Sequence, residues 1–157
     1  MPRAGTHRTT EPPDSKQRLR LWLRLLRATR FLEGELRERL RVSYGVTLPR
    51  FDVLAALFRF EAGMTMTELS RLLMVSNGNV TGIVERLVKD GHVVRVPDQQ
   101  DRRATLVRLT AKGRSFFEEM AETHEGWVDD LLAAVSPADT DRLIALLERL
   151  PRKQRSA

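Results

Sequence analysis

Cysteine is absent from the 157 residues of the chain, and histidine occurs only three times. The absence of cysteine excludes disulfide bonds, thiol-based redox sensing and thiolate zinc sites. His7, His92 and His124 are far apart in the sequence, and each is interpreted as a solvated side chain. Adjacent carboxylates such as those of Glu118 and Glu119 would point about 100° apart on a helix, so they do not converge on a substrate. We therefore expect no catalytic site, no bound metal and no cofactor, and a protein that is not an enzyme.

Long apolar runs are also absent, and no stretch approaches the roughly 18 residues of a membrane-spanning helix. Residues 1–14 are mostly polar, contain three prolines and lack the apolar core of a signal peptide. We expect residues 1–14 to form a disordered arm and residues 151–157 to form a basic tail. We expect the protein to be cytoplasmic and not to bind a membrane.

The chain is basic, with a formal net charge of +6. An excess of basic residues favours binding to a polyanionic partner, although net charge alone does not determine a fold. A length of 157 residues is enough for a domain that buries a stable core.

Two short helical patterns joined by a tight polar turn form the most informative part of the sequence. Thr65 and Glu68 have the spacing of a capping box, in which each side chain accepts a hydrogen bond from an otherwise unpaired N–H, so a helix should begin near Met66. A second helix should span residues 77–90 and end at Gly91, which can adopt the left-handed cap conformation. The apolar residues of both helices recur at helical spacing: Leu69, Leu72, Leu73, Val80, Ile83, Val84, Leu87 and Val88.

Two features of the second helix admit more than one interpretation. Asn77-Gly78 is a strong hairpin signal, but the flanking residues have a period of 3.6 rather than 2, which favours a helix. Gly78 and Gly82 each cost a helix about 1 kcal/mol relative to alanine. They would leave one side of the helix without bulk, which serves either close packing against the preceding helix or close approach to a DNA backbone. The sequence does not decide between these two explanations.

A β-hairpin should follow the two helices. A valine-rich strand should end at Pro97, and residues 106–109 alternate as a returning strand. Residues 98–105 would form the tip of the hairpin, or wing. This order predicts a mainly α protein with a small β-hairpin wing, a winged helix-turn-helix over residues 49–113, which is a shape that fits double-stranded DNA.

Amphipathic helical patterns flank the winged region on both sides. Thr110 should cap a long helix that reaches about Val135, and Ser136-Pro137 should start another. Apolar stripes at both ends of one domain are most simply buried by a second copy of the chain. Residues 15–48 and 114–150 are therefore predicted to be N- and C-terminal dimerisation helices, with packing inside one chain as the alternative. Paired winged regions would contact half-sites about 10 base pairs apart.

The combined pattern resembles the MarR family of bacterial transcription regulators over roughly residues 15–150. The resemblance is carried by the run SNGNVTGIVERLVKDG and by the motif D-x-R-x-x-x-x-x-L-T, which is present as Asp101, Arg103, Leu109 and Thr110 and is followed by Ala111-Lys112-Gly113. It implies an obligate triangular homodimer that represses transcription by occupying a pseudo-palindromic operator. It also implies release when a small anionic or phenolic ligand binds between the dimer helices and the winged region.

The resemblance further implies roles for residues of the second helix and the wing. The helix would lie in the major groove, with short polar side chains near base edges or phosphates, and wing arginines would enter the minor groove. Ser76 can alternatively cap the helix, and Arg86 can alternatively pair with a neighbouring carboxylate. Asp101, with Asp98 second, is expected to steady a wing arginine. The candidate DNA-binding residues are Ser76, Asn77, Asn79, Thr81, Arg86, Arg102 and Arg103.

The run LMVSNGNVTGIVERLV is also similar to regulators of aromatic-acid catabolism, some of which respond to a hydroxycinnamoyl-coenzyme A thioester. Arginines of the first helix would then bind phosphates of coenzyme A, although a solvated basic face is the alternative. The expected function is a ligand-responsive, sequence-specific repressor released by a small aromatic acid or its coenzyme A thioester, with unknown effector-binding residues. The alternative is a non-specific or architectural winged-helix protein. The arginines concerned are Arg18, Arg20, Arg24, Arg27 and Arg30.

Overall fold

A computed structural model describes residues 14–101 and 103–150. Arg102, His7, the tail at 151–157 and all of the expected N-terminal arm except Asp14 lie outside these described residues. The chain divides into two compact units, one up to Glu35 and one from Leu36 onward. In the described part, the elements in chain order are α1 (Asp14–Tyr44), α2 (Leu48–Arg59), β1 (Met64–Thr65), α3 (Met66–Leu73), α4 (Asn77–Lys89), β2 (Val93–Pro97), β3 (Thr105–Leu109), α5 (Ala111–Leu132) and α6 (Pro137–Leu147).

The helices α3, α4, α5 and α6 begin at the capping residues that the sequence indicates. The Thr65 hydroxyl accepts a hydrogen bond from the Glu68 N–H at 3.2 Å, and the Glu68 carboxylate accepts one from the Thr65 N–H at 2.8 Å, which confirms the capping box. The helix α4 is continuous from Asn77, so the hairpin alternative for Asn77-Gly78 is wrong. Gly91 has a φ of +77°, as expected of a left-handed cap. The N-cap hydroxyls of α4, α5 and α6 belong to Ser76, Thr110 and Ser136.

The three strands form an antiparallel sheet in the order β1, β3, β2. β2 pairs with β3 over its whole length, and Pro97 is its last residue, so the predicted hairpin is confirmed. β1 pairs with Leu106 and Val107 on the other edge of β3. The sequence pattern did not predict β1, because two residues are too few to show a period.

The hydrophobic core lies in the second unit, from Leu36 onward. In the described part of the first unit no side chain is buried, and α6 has no buried residue either. None of the described helices combines the length and the apolar content that a membrane span requires. The core side chains are Leu40, Val46, Phe51, Val53, Leu54, Ala56, Leu57, Met64, Leu69, Val80, Val84, Leu87, Val93, Val107, Phe117 and Met120.

The expectation that His92 and His124 are solvated is wrong. The imidazole of His124 stacks on Phe51 with ring centroids 4.5 Å apart, and that of His92 stacks on Phe116 at 4.4 Å. Burial lowers the pKa of both histidines, and the charge of Lys112 lowers the pKa of His92 further. Their neighbours come from other elements of the fold, which periodicity along one helix does not reveal.

Candidate nucleic-acid interface

The N-terminal half of α4 presents short polar side chains to solvent. Ser76, Asn77 and Asn79 are exposed, and Thr81 is half-buried. The Ser76 hydroxyl accepts a hydrogen bond from the Asn79 N–H at 3.4 Å, so Ser76 caps the helix. The Thr81 hydroxyl donates to the Asn77 carbonyl at 2.9 Å. Because these bonds do not use the amide groups of Asn77 and Asn79, both amides can donate to and accept from a ligand in front of the helix.

Gly78 and Gly82 lie together on the exposed side of α4. Apart from the chain neighbours and the nearby backbone of α4 itself, a Cβ atom placed on either glycine meets no described atom within 4 Å. Close packing against α3 is therefore the wrong explanation for these glycines. Glu85 and Lys89 continue the same row at helical spacing, and both are exposed. The N-terminal part of this face is bare helix backbone, which can approach another surface more closely than a face with side chains.

Arg86 forms an ion pair within α4. Its Nε atom lies 3.2 Å from a carboxylate oxygen of Asp90, one turn further along the helix. The side chains are 50% and 32% exposed, and such surface pairs contribute at most about 1 kcal/mol. The guanidinium can therefore exchange Asp90 for a phosphate at low energetic cost.

The end of α4 is bonded to the first turn of α5. The Thr110 hydroxyl donates to the Gly91 carbonyl at 2.7 Å, and the Lys112 ammonium donates to the Asp90 carbonyl at 2.9 Å. At Gly113, a Cβ atom would lie 1.9 Å from the His92 carbonyl oxygen, so only glycine fits without a shift of the backbone. These contacts fix the direction of α4 relative to α5.

Backbone hydrogen bonds close the tip of the wing between β2 and β3. The Asp98 N–H donates to the Ala104 carbonyl at 3.0 Å, and the Ala104 N–H donates to the Asp101 carbonyl at 2.8 Å. The carboxylate of Asp98 also accepts from the Gln100 N–H at 2.9 Å. This last bond has the geometry of an Asx turn, in which a side-chain oxygen replaces a backbone carbonyl.

Asp101 holds the neighbouring wing arginine through the backbone. Its carboxylate accepts from the Arg103 N–H at 3.0 Å, and among the described ion pairs none involves the Arg103 guanidinium. Arg103 is exposed at the tip. A role for Asp101 or Asp98 in steadying an arginine that enters DNA stays a prediction, as does the DNA contact of Arg102.

Sequence reasoning missed three exposed residues of this surface. Glu85 and Lys89 share the glycine row of α4, and Met74 projects from the turn that precedes the helix. Glu85 and Lys89 could have been found from the sequence, because they follow Gly78 and Gly82 at steps of three and four residues along the helix. The exposure of Met74 depends on a left-handed backbone conformation that the sequence did not indicate. Across residues 14–101 and 103–150, no group of three metal-ligating side chains is suitably placed to hold an ion.

Comparison with known proteins shows the same architecture in transcription regulators. The sequence model of the MarR family matches residues 44–104. The transcriptional activatory protein BadR of Rhodopseudomonas palustris is 39% identical over 118 residues, which cover 73% of this chain and 67% of that protein. A MarR family transcriptional regulator from Silicibacter pomeroyi is 36% identical in its crystal structure, with a TM-score of 0.74 and coverage of 88% of this chain and 95% of that one.

A further solved structure includes nucleic acid. A mutant MarR from Escherichia coli, crystallised in complex with operator DNA, superposes with a TM-score of 0.74 at 27% identity, over 89% of this chain and 100% of that one. These relatives are transcriptional regulators and not enzymes, which confirms the prediction of a non-enzymatic function. The mainly helical fold with its small antiparallel sheet is likewise confirmed. The chain belongs to the MarR family and is a DNA-binding transcriptional regulator with a winged helix-turn-helix fold.

Proposed function

We propose that the protein is a homodimeric repressor that occupies a pseudo-palindromic operator. Each subunit inserts α4 into a major groove and its wing into the adjacent minor groove. The observation that carries this proposal is the bare face of α4, where Gly78 and Gly82 are open to solvent beside the free amides of Asn77 and Asn79. A face without bulk lets base edges and phosphates come within hydrogen-bond distance of these polar groups.

The candidate residues divide into three groups by the part of the duplex that they contact. Asn77, Asn79 and Thr81 are short and lie at the end of α4 that enters the groove, so they contact base edges. Ser76 and Arg86 contact phosphates at the two borders of the same helix. Arg102 and Arg103 at the wing tip enter the minor groove, where a narrow A·T-rich segment attracts guanidinium groups.

The proposed dimer is supported by apolar surface that one chain leaves uncovered. In the first unit, Leu19, Trp22 and Phe31 are 57%, 57% and 58% exposed. In the second unit, four large apolar residues of α6 are similarly exposed. Isolated chains rarely leave so many large apolar side chains in water, and a second copy would bury both sets. The α6 residues are Leu143, Ile144, Leu146 and Leu147.

The proposal is tested by selecting duplexes from a random pool and measuring the affinity of variants for the selected operator. We expect the selected sites to be two-fold symmetric, with an affinity at least about 10³ above that for random DNA. Arg103→Ala should weaken binding strongly, whereas Asn79→Ala should change which bases are preferred. Arg142→Ala is the matched control, because it removes the same charge from an exposed position on α6. Selection of no consensus, with equal affinity for all duplexes, would support an architectural protein instead.

We further propose that a small aromatic acid or its coenzyme A thioester releases the operator by binding the basic side of α1. On one side of α1, Leu23, Leu26, Arg27 and Arg30 border an open space of about 290 Å³, and Arg20 and Arg24 join Leu23 and Arg27 around a second of about 220 Å³. Apolar side chains beside guanidinium groups suit an anionic amphiphile, because the arginines bind phosphate or carboxylate and the leucines contact the acyl group.

The ligand proposal predicts a difference between two probes. If the thioester is the effector, an aroyl-coenzyme A should weaken operator binding, whereas the matching free acid should do little. Coenzyme A alone serves as the control. Arg27→Gln should reduce the response to the thioester without changing operator affinity in its absence. If none of the thioesters tried weakens operator binding, the proposal that the effector is a coenzyme A thioester is overturned.

Whether the protein represses or activates transcription needs its own assay. The relative BadR is named an activatory protein, whereas occupancy of a promoter by a dimer blocks polymerase in the simplest case. Transcription in vitro from a promoter that carries the selected operator should fall when the protein is added. A rise in transcript would show activation.

A further inference from the structure

The turn between α3 and α4 holds its most exposed apolar side chain in an unusual backbone conformation. Met74 has a φ of 55° and a ψ of 35°, and it is the one non-glycine residue with positive φ among the described residues. Its side chain is 85% exposed. A left-handed conformation at the end of a helix is normally occupied by glycine, because a Cβ atom is strained there.

Hydrogen bonds fix this conformation. The Met74 N–H and the Val75 N–H both donate to the Ser70 carbonyl, the second at 3.2 Å. The Ser70 hydroxyl donates in return to the Val75 carbonyl at 2.7 Å. Val75 packs against the core, so the turn cannot rotate to bury the methionine. Met74 therefore bears backbone strain, and its exposed side chain gains almost no packing within the chain in return.

A bound duplex would give this side chain a contact. Met74 lies two residues before Ser76, the N-cap of the helix that we place in the major groove. In helix-turn-helix proteins the N-terminal residues of that helix contact base edges, so the preceding turn lies at the border of the groove. The apolar group that the major groove offers is the C5-methyl of thymine. Methionine is flexible and polarisable, and it adapts to such a contact.

We propose that Met74 contacts a thymine methyl in each half-site and thereby helps to determine operator sequence. This inference rests on the proposed placement of α4 in the major groove. It adds to the polar residues of α4 an apolar contact from outside the helix. The strain at Met74 is tolerated because the left-handed turn directs the side chain away from the core and toward the duplex.

The test replaces thymine by deoxyuridine, which lacks the methyl group, at one symmetric pair of operator positions at a time. For the natural protein, deoxyuridine at one of these pairs should weaken binding by about fourfold per half-site, which is the effect of losing one buried methyl group. Met74→Gly should weaken binding to the thymine operator and should be insensitive to deoxyuridine at that pair. Met74→Leu should keep part of the sensitivity, because it retains apolar bulk.

The glycine variant also controls for folding. Because glycine accepts the left-handed conformation without strain, Met74→Gly should unfold at the same temperature as the natural protein or above it. Any loss of affinity then reports on the side chain rather than on stability.

Two results would overturn the inference. One is a natural protein that is insensitive to every deoxyuridine substitution, and the other is a Met74→Gly variant with the natural affinity and the natural deoxyuridine profile. If Asn79→Ala and Arg103→Ala respond as proposed while Met74→Gly does not, only this inference fails. If none of the three variants alters binding, the placement of α4 fails as well.

Discussion

Replacement of Gly82 by alanine should raise the stability of the protein and lower its affinity for DNA. Gly82 lies in the interior of α4, where glycine costs about 1 kcal/mol relative to alanine. Apart from the chain neighbours and the nearby backbone of α4 itself, a Cβ atom there meets no described atom within 4 Å, so no clash offsets the gain. For a chain of this size, about 1 kcal/mol corresponds to a rise of roughly 2–4 °C in the unfolding temperature.

The same methyl group should interfere with the operator. It would occupy the bare face of α4 and hold the helix away from the groove, which lengthens the hydrogen bonds made by Asn77 and Asn79. A loss of about 1.4 kcal/mol corresponds to a tenfold weaker complex. We expect at least that loss for the dimer, because both copies of α4 carry the substitution.

The assay pairs thermal unfolding with operator binding by fluorescence anisotropy. Gly126→Ala is the matched control, since Gly126 is an exposed glycine inside α5, and a Cβ atom there would meet no described atom within 4 Å apart from its chain neighbours and the nearby backbone of α5. It should raise stability by a similar amount and leave affinity unchanged. A Gly82→Ala protein that is more stable and binds the operator with natural affinity would refute close approach of this face to DNA.

Three further predictions concern packing, pH and assembly. Gly113→Ala should destabilise the protein by about 1–3 kcal/mol, because its Cβ would overlap the His92 carbonyl; an unchanged midpoint in urea would contradict this packing. Burial lowers the pKa of His124 below the usual 6.5, so the unfolded chain takes up a proton at a higher pH than the folded protein does. The contribution of His124 to the free energy of unfolding should therefore be fully present above about pH 6.5 and should decrease as the pH falls toward the lowered pKa. His124→Phe keeps the ring on Phe51 and should reduce this loss between pH 7 and 5, whereas identical pH profiles would argue against a half-buried imidazole whose pKa is lowered. Trp22→Ser should weaken the dimer by about 2 kcal/mol per subunit, since burial of on the order of 100 Å² of ring surface is lost; sedimentation equilibrium with an unchanged dissociation constant would place Trp22 outside the interface.

Local chemistry explains why the helix boundaries could be predicted from the sequence. The capping box of Thr65 and Glu68, the cap at Ser76 and the left-handed Gly91 each depend on a few adjacent residues. Such interactions leave a pattern in the sequence that does not require knowledge of distant contacts. The hairpin from β2 to β3 was predictable for the same reason.

Features that depend on contacts between elements were not predictable. The two residues of β1 become a strand only because β3 offers them an edge. His92 and His124 are half-buried because aromatic rings from α5 and α2 cover them. Packing of Gly78 and Gly82 against α3 could be excluded only once the surroundings of α4 were known. The hydrogen bond from the Arg103 N–H to the Asp101 carboxylate could not be predicted from the sequence either, and the role of Asp101 in steadying an arginine that enters DNA stays a prediction.

The absence of cysteine allows the central claim to be tested by directed cleavage of DNA. Asn79→Cys and Arg103→Cys each create a unique thiol, to which a reagent that cuts nearby DNA strands can be attached. If α4 lies in the major groove and the wing in the adjacent minor groove, each variant should cut the selected operator at two symmetric positions, and the two sets should be offset by about half a helical turn, roughly 5 base pairs. Cutting at the same positions by both variants, or uniform cutting along the duplex, would contradict the account.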